Sequence, residues 1–316
     1  MQYILGIETS CDETAAAVVT GEGEILSNVI ASQMDIHAAF GGVVPEIAAR
    51  NHVGIIDKVV EQALSKANIS ASQVTHVAAT VEPGLPGAVM IGRVFARSLA
   101  TALGVPFIPV NHVHGHIASV RATQGLPHLA LVVSGGHTSL FEVNAGAGAA
   151  PLLLEQTLDD AVGEAFDKVA RVLGIGFPGG PAIEKLAREY QGTDTIQFVK
   201  QPNYRTHGFS YSGLKTAVIN YLHRRGAAPA PDELRQICHS FQVEAFGQII
   251  HKLRKYLCKG GNLAPVLGVS GGVAINKYFQ QLLRREFPGA EIHFPPNELC
   301  GDNAAMIAMS AIAATL

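Results

Sequence analysis

Residues 3–32 and 128–157 of this chain carry the same succession of apolar runs and turns, and the segments downstream of the two stretches also match. In the first, 4–7, 15–19 and 25–31 read as strands, with Gly21-Glu22-Gly23 turning the chain between the last two. In the second, 129–133, 139–143 and 152–154 read likewise, with Ser134-Gly135-Gly136-His137 after the first strand and a Gly/Ala loop before the last. Downstream of the first triplet come a strand at 77–81, the loop Pro83-Gly84-Leu85-Pro86-Gly87, a helix over 88–103, a strand at 107–110 and a helix opening at His112. Downstream of the second come a strand at 266–269, the loop Ser270-Gly271-Gly272, a helix to Phe287, a strand at 291–294 and an Ala/Met-rich helix opened by Asp302-Asn303. Such a duplication confines the chain to an α/β fold of two lobes, 1–127 and 128–316, with a ligand cleft between them.

The remaining segments fill in this plan. An amphipathic helix is expected over 46–66 and another over 157–173, capped by Thr157 and stopped by Gly174. Gly176-Phe177-Pro178-Gly179-Gly180-Pro181 breaks the chain, and 181–262 reads as a helical insertion in the second lobe, interrupted by polar loops at 203–212 and 227–231. With 48% hydrophobic residues in 316, a large core is available, and 16% charged residues exclude a disordered chain. The net charge of −3 is uneven: 200–259 holds ten Lys/Arg against three Asp/Glu, a local +7 on a body carrying −10. Such a segment suits a phosphate backbone; a solvated helical face is the alternative. Cys11, Cys238, Cys258 and Cys300 show no CxxC spacing, which argues against a disulfide framework or thiolate zinc site and for a reducing cytoplasm. The apolar run 3–7 is too short for a signal peptide or a membrane span.

Within this frame His112-Val113-His114-Gly115-His116 points to metal chemistry. Asn111 caps a helix that stacks His112 and His116 one turn apart, a ligand spacing, and turns His114 away. Thirteen His in 316 residues yield about half of one such pair by chance, so the pair needs a third ligand. In the duplicated pattern Asp302 occupies the place of His112, facing the cleft from the opposite lobe, which makes it the natural third ligand; an ordinary helix cap is the alternative. No Glu follows the first His, so the HExxH pattern of a metalloprotease is missing.

The two SGG loops suit a phosphate, because glycine lets backbone N–H groups approach anionic oxygens. With Gly6-Ile7-Glu8-Thr9-Ser10 at the first hairpin, they resemble the actin, Hsp70 and sugar-kinase (ASKHA) superfamily. Asp167, beside the apolar stripe Val162, Phe166, Val169 and Leu173, could bind ribose hydroxyls or an ammonium, or be an exposed helix charge. Asn276 could bond a ligand or the turn backbone. Asp12 and Glu13 become candidate bases or metal-orienting groups if they line a cleft.

Six motifs carry a more specific resemblance over essentially the whole chain: 6–14 (GIETSCDET), 112–116 (HVHGH), 133–138 (VSGGHT), 209–216 (FSYSGLKT), 270–276 (SGGVAIN) and 300–308 (CGDNAAMIA). Together they resemble the TsaD family of tRNA threonylcarbamoyladenosine transferases. The resemblance implies transfer of a threonylcarbamoyl group from its adenylate, threonylcarbamoyl-AMP, to the N6 amine of the adenosine 3′ of the anticodon in tRNAs reading ANN codons. It implies His112, His116 and Asp302 as ligands of one divalent iron or zinc ion, and Val132, Val133, Ser134, Gly135, Gly136, Asp167, Gly180 and Asn276 as the adenylate site. His114 and Gly301 stand where the family more often has Glu and Thr. Glu13 or His137 could assist proton transfer. A small ASKHA paralogue and a P-loop ATPase are the implied partners, beside tRNA and with no membrane. An ATPase or sugar kinase of the same fold, or a nucleotide-binding scaffold, is the rival reading.

Overall fold

Both repeats build the same five-stranded sheet. The computed structural model describes residues 1–315 apart from 125–128, 144–149, 200–206 and 258–265; the Gly/Ala loop expected before residue 152 and the end of the expected insertion lie outside the described residues. The chain begins β1 (Tyr3–Glu8), β2 (Glu13–Thr20), β3 (Ile25–Ser32), α1 (Met34–Ala38), α2 (Pro45–Lys66), β4 (His76–Glu82), α3 (Pro86–Leu103), β5 (Phe107–Asn111) and α4 (His112–Gln124). It continues β6 (Leu129–Val133), β7 (Thr138–Glu142), β8 (Leu152–Gln156), α5 (Val162–Leu173), α6 (Gly179–Glu189), α7 (Ser212–Arg225), α8 (Pro231–Leu257), β9 (Val266–Ser270), α9 (Lys277–Glu286) and β10 (Glu291–His293). Then come α10 (Asn297–Cys300) and α11 (Ala304–Thr315).

The strand orders are β3-β2-β1-β4-β5 and β8-β7-β6-β9-β10, antiparallel within each leading hairpin pair and parallel beyond it. This is the duplicated actin/Hsp70/sugar-kinase-like topology that the sequence predicts. No described helix is long and apolar enough to cross a membrane.

The chain divides into two compact units: Met1–Pro127, Val143–Pro151 and Phe294–Leu316 form one, and His128–Glu142 with Leu152–His293 the other. Sequence alone assigns 128–316 to one lobe, so the boundary differs from the expected one. The physical reason is α11. Ala304 through Met309 and Ala311 are all buried, so this helix is apolar around its circumference and must be covered on every side. It packs on α4, β1 and β2. Burying Met306 and Ile307 stabilises the unit by about 1.5–3 kcal/mol each.

Strand alternation sorts the first sheet into two faces. Leu5, Ile7, Ala16, Val18, Val77 and Ala79 join one core cluster with residues of α2 and α3, whereas Ile4, Ala15, Ala17 and Ala78 join another with α11. The period of two then carries Glu8, Glu13 and Thr80 to the α11 face, Glu8 and Glu13 at the ends of their strands.

Two helix starts differ from expectation. Helix α5 begins at Val162, with Ala161 rather than Thr157 at its cap position, because Thr157 bridges to Phe209 and its hydroxyl donates to the Asp160 carbonyl at 2.6 Å. Helix α6 begins at Gly179, inside the expected break: Pro181 falls in its first turn, where a missing N–H costs nothing. Gly174 does stop α5, at φ 69°.

Candidate metal centre and nucleotide loops

Helix α4 starts where it does because the Asn111 side-chain oxygen accepts from the N–H groups of Val113 (3.0 Å) and His114 (3.3 Å). His112 and His116 stand one turn apart, ring centroids 4.8 Å from each other and nearly perpendicular. Asp302 is delivered by Asn303, a fully buried residue whose Oδ1 accepts from Met306 N–H at 3.0 Å while its Nδ2 donates to the Gly301 carbonyl at 2.8 Å. Asp302 Oδ1 then lies 3.2 Å from His116 Nε2 and 3.5 Å from His112 Nε2. The three ligand atoms fall within 4.8 Å of one another. Two glycines permit the approach: a Cβ on Gly6 would lie 2.3 Å from the Ala304 carbonyl oxygen, and one on Gly115 2.9 Å from Ile307 Cδ1. His112 and Asp302 thus belong to one unit, not to opposite lobes as the duplication suggests.

The donor set fits a cation. His116 is completely buried, and neither ring nitrogen has a hydrogen-bond partner among the described residues, although Nε2 faces a carboxylate. A buried polar group left unpaired costs about 1–3 kcal/mol, and an ion shared by Nε2 and Asp302 would satisfy it. His112 Nδ1 faces the buried Glu8 carboxylate, 3.0 Å from Oε2. Burial works to lower the His112 pKa, but the charges of Glu8 and Asp302 and the Glu8 hydrogen bond prevail and push it up to about 9. In Glu8 burial favours the neutral carboxyl, yet the His112 charge and hydrogen bonds hold it below its ordinary value.

Glu13 lies on the same sheet face, where Ser32 Oγ donates to its Oε1 at 2.8 Å; Oε2 is buried without a partner among the described residues. Burial, opposed by the Ser32 bond and reinforced by the charges of Asp12 and Asp302, raises its pKa to about 7. His52, from α2, reaches the Cys11 carbonyl through Nε2 (3.0 Å) and Thr14 Oγ1 through Nδ1 (2.7 Å), which pins the loop before Glu13.

In the second unit, Ser134 N–H donates to the His137 carbonyl at 2.8 Å and His137 N–H to Ser134 Oγ at 3.1 Å, closing a tight turn. Gly163, in the first turn of α5, abuts it: its N–H donates to the Ser134 carbonyl at 3.2 Å, and a Cβ there would lie 2.6 Å from that oxygen. A helix N-terminus beside a glycine turn is an anion-binding arrangement. Gly135 and Gly136 are both exposed, whereas Val132 and Val133 are fully buried and could meet a ligand only through their backbone. Gly271 (φ 93°) closes the neighbouring loop onto the Val133 carbonyl, 2.2 Å from where a Cβ would stand. Asp167 accepts from the Gly179 N–H at 2.6 Å, capping the helix that contains Gly180. Asn276 accepts from Phe279 N–H at 2.9 Å and donates to Gln242 Oε1 at 3.1 Å, so it makes the turn bond that sequence offered as one alternative.

A family model described as tRNA N6-adenosine threonylcarbamoyltransferase matches residues 24–309. The chain belongs to this family. A tRNA N6-adenosine threonylcarbamoyltransferase of Streptococcus pneumoniae strain ATCC 700669 is 44% identical, covering 98% of this chain and 92% of that protein. The match to the same-named protein of the TIGR4 strain is equally extensive. Among solved structures, HypF from T. kodakarensis is similar with a TM-score of 0.63 at 14% identity, covering 99% of this chain and 47% of that one. The activator of 2-hydroxyisocaproyl-CoA dehydratase from Clostridium difficile is similar with a TM-score of 0.59 at 14% identity, covering 98% and 94%. These two show a shared fold.

For a threonylcarbamoyltransferase, the basic segment is less basic than its composition suggests. Lys200, Arg205 and Lys259 lie outside the described residues. Of the seven described Lys/Arg, Lys215, Arg225, Arg235, Arg254 and Lys255 pair with carboxylates, namely Asp160, Glu233, Glu189 with Asp232, Glu286 and Glu155. Sequence reasoning gave no role to Glu8, Thr80, His52 or Gly115. A carboxylate at the end of the otherwise apolar run YILGIE was the readable signal for Glu8.

Proposed function

We propose that this chain transfers the threonylcarbamoyl group of threonylcarbamoyl-AMP to the N6 amine of the adenosine 3′ of the anticodon in tRNAs reading ANN codons, releasing AMP. The observation that carries the reading is the His112, His116 and Asp302 cluster, whose buried His116 imidazole has no hydrogen-bond partner among the described residues, in a chain of this family. Two imidazoles and a carboxylate suit divalent iron or zinc and leave coordination positions open. Bound there, the ion supplies Lewis acidity that polarises the threonylcarbamoyl carbonyl.

The chain's own residues do the rest. Val132, Val133, Ser134, Gly135 and Gly136, against the start of α5, receive the phosphate of the adenylate, while Asp167, Gly180 and Asn276 hold its nucleoside. The adenosine N6 attacks the carbonyl carbon; the new C–N bond forms as the bond from that carbon to the phosphate oxygen breaks, and the electron pair leaves with AMP. The amine's proton passes to Glu13, whose Oε2 has no hydrogen-bond partner among the described residues and whose pKa near 7 suits a general base, with His137 as the alternative acceptor. Acceleration comes from positioning and charge stabilisation. The target base lies in a single-stranded loop, so no duplex has to open.

Val53, Met90 and Val94, on α2 and α3, are 59%, 56% and 56% exposed. These exposed apolar side chains support docking of the small paralogue, with the P-loop ATPase as a further component. Among the described residues Cys11, Cys238 and Cys300 form no disulfide, and the reading places the enzyme in the cytoplasm.

The test is transfer of labelled threonine from preformed threonylcarbamoyl-AMP to unmodified ANN-decoding tRNA, with partner proteins supplied, for the native protein and His112→Ala. Transfer that needs metal and disappears in the variant supports the proposal. ATP turnover without transfer would instead favour the ATPase or kinase reading.

A further inference from the structure

We propose that Glu8 is a positioning residue for the metal centre: it holds His112 with Nδ1 protonated and Nε2 turned to the ion, and so sets how tightly the ion is bound. The inference rests on the metal reading above and extends it to a residue outside the ligand set.

Glu8 is completely buried at the end of β1. Its Oε2 lies 3.0 Å from His112 Nδ1, while the opposite ring nitrogen, Nε2, faces Asp302. An ionised carboxylate only accepts, so Nδ1 must donate, and a neutral imidazole then keeps its lone pair on Nε2, the atom that faces the ligand cluster. Glu8 is itself held on both oxygens: the Thr80 hydroxyl donates to Oε2 and the Ser10 N–H to Oε1. Ser10 Oγ, 3.1 Å from the same Nδ1, closes the remaining side. The anchor is therefore rigid, built from β1, β4 and the loop after β1, and independent of α4, which carries the histidine.

Two further features point the same way. His116 has no comparable partner among the described residues, so the orientation of the histidine pair depends on His112. Charge points the same way: Glu8 and Asp302 contribute two negative charges around two imidazoles that are neutral when they bind metal, matching a divalent cation between buried histidines and a half-buried carboxylate. A neutral amide in place of Glu8 would leave the loaded centre with a net positive charge. It could also present an N–H to Nδ1, which would move the imidazole proton to Nε2 and block the ion.

The experiment is a titration of the metal-free full-length protein with cobalt(II), read by its visible absorption, for the native chain, Glu8→Gln and His116→Ala. The expected result is 10–100-fold weaker cobalt binding in Glu8→Gln, the cost typical of losing an outer carboxylate partner, and no measurable binding in His116→Ala. Native affinity in Glu8→Gln alongside loss in His116→Ala overturns this inference alone. A native protein that takes up no cobalt overturns the metal reading with it. Should Glu8→Gln fail to fold, nitrogen-15 spectra of the zinc-loaded native protein decide: the proposal requires His112 to be ligated through Nε2 with a slowly exchanging Nδ1 proton, and ligation through Nδ1 refutes it.

Discussion

Replacing Gly6 with alanine places a methyl group 2.3 Å from the carbonyl oxygen of Ala304 and 2.9 Å from the amide nitrogen of Ala308. Both are backbone atoms of α11 and cannot rotate away. Restoring ordinary contact requires the helix to back off by about 1 Å. Overpacking of this kind costs about 1–3 kcal/mol, and the entropy lost from the unfolded chain returns about 0.4–1 kcal/mol, so a net loss of about 1–2 kcal/mol is expected. The larger effect is on the site. Asp302 lies two residues before α11 and moves with it, while metal–ligand distances tolerate about 0.2 Å. Zinc or cobalt affinity should therefore fall at least about tenfold, beyond what the stability loss explains. Thermal unfolding with and without metal, together with direct titration, measures both. Gly247→Ala is the control: it lies within α8 with open space at the Cβ position and should raise stability by about 0.5–1 kcal/mol without touching metal binding. A Gly6→Ala protein with native stability and native metal affinity would refute the argument that this glycine sets the seat of α11.

The electrostatics carry two other expectations. Glu13 has a folded pKa near 7, above its ordinary 4.5, so the folded state loses stability as pH rises through that window; Glu13→Gln should be more stable than the native protein at pH 8 in thermal melts, yet slower in single-turnover transfer, whose native rate should climb with pH up to about 7. In Asp159 burial disfavours the charged form, but bonds from the Ser210 and Ser212 hydroxyls and the Tyr211 and Ser212 N–H groups outweigh it and depress the pKa below 3.8. Asp159 thus caps α7 from a distant segment, and Asp159→Ala should cost about 1–2 kcal/mol at pH 7, a difference that shrinks as pH falls below 3.8 through the depressed value.

The strands of both sheets were legible because alternation and turn residues are local signals; β1 to β3 and β6 to β8 lie within a residue or two of their expected ends. The start of α5 was not legible, since Thr157 is claimed by Phe209, a partner far along the chain. Asp302 was reached by a symmetry argument that set it beside the histidines for the wrong spatial reason. The duplication assigns α11 to the second lobe, whereas its uninterrupted apolar surface, with Gly6 and Gly115 cleared to receive it, draws it into the first unit. Glu8 shows the converse: its position in a buried strand was visible, but the imidazole it serves is 104 residues away.

The return of α11 to the first unit also fixes an order of events during synthesis. About 185 residues separate His116 from Asp302, which at about 5–20 residues per second is about 10–40 s of elongation. Throughout that interval the face of the first sheet that α11 will cover has no partner from its own helix, and the strands of the unit that starts later, β6 to β10, are all made before α11 arrives. The nascent chain is thus obliged to complete its second half before its first, and for that time an apolar β surface is open to chaperones or to aggregation. On the proposed ligand set, metal capture by all three residues can only come afterwards, so loading would mark a chain whose synthesis has passed Asp302.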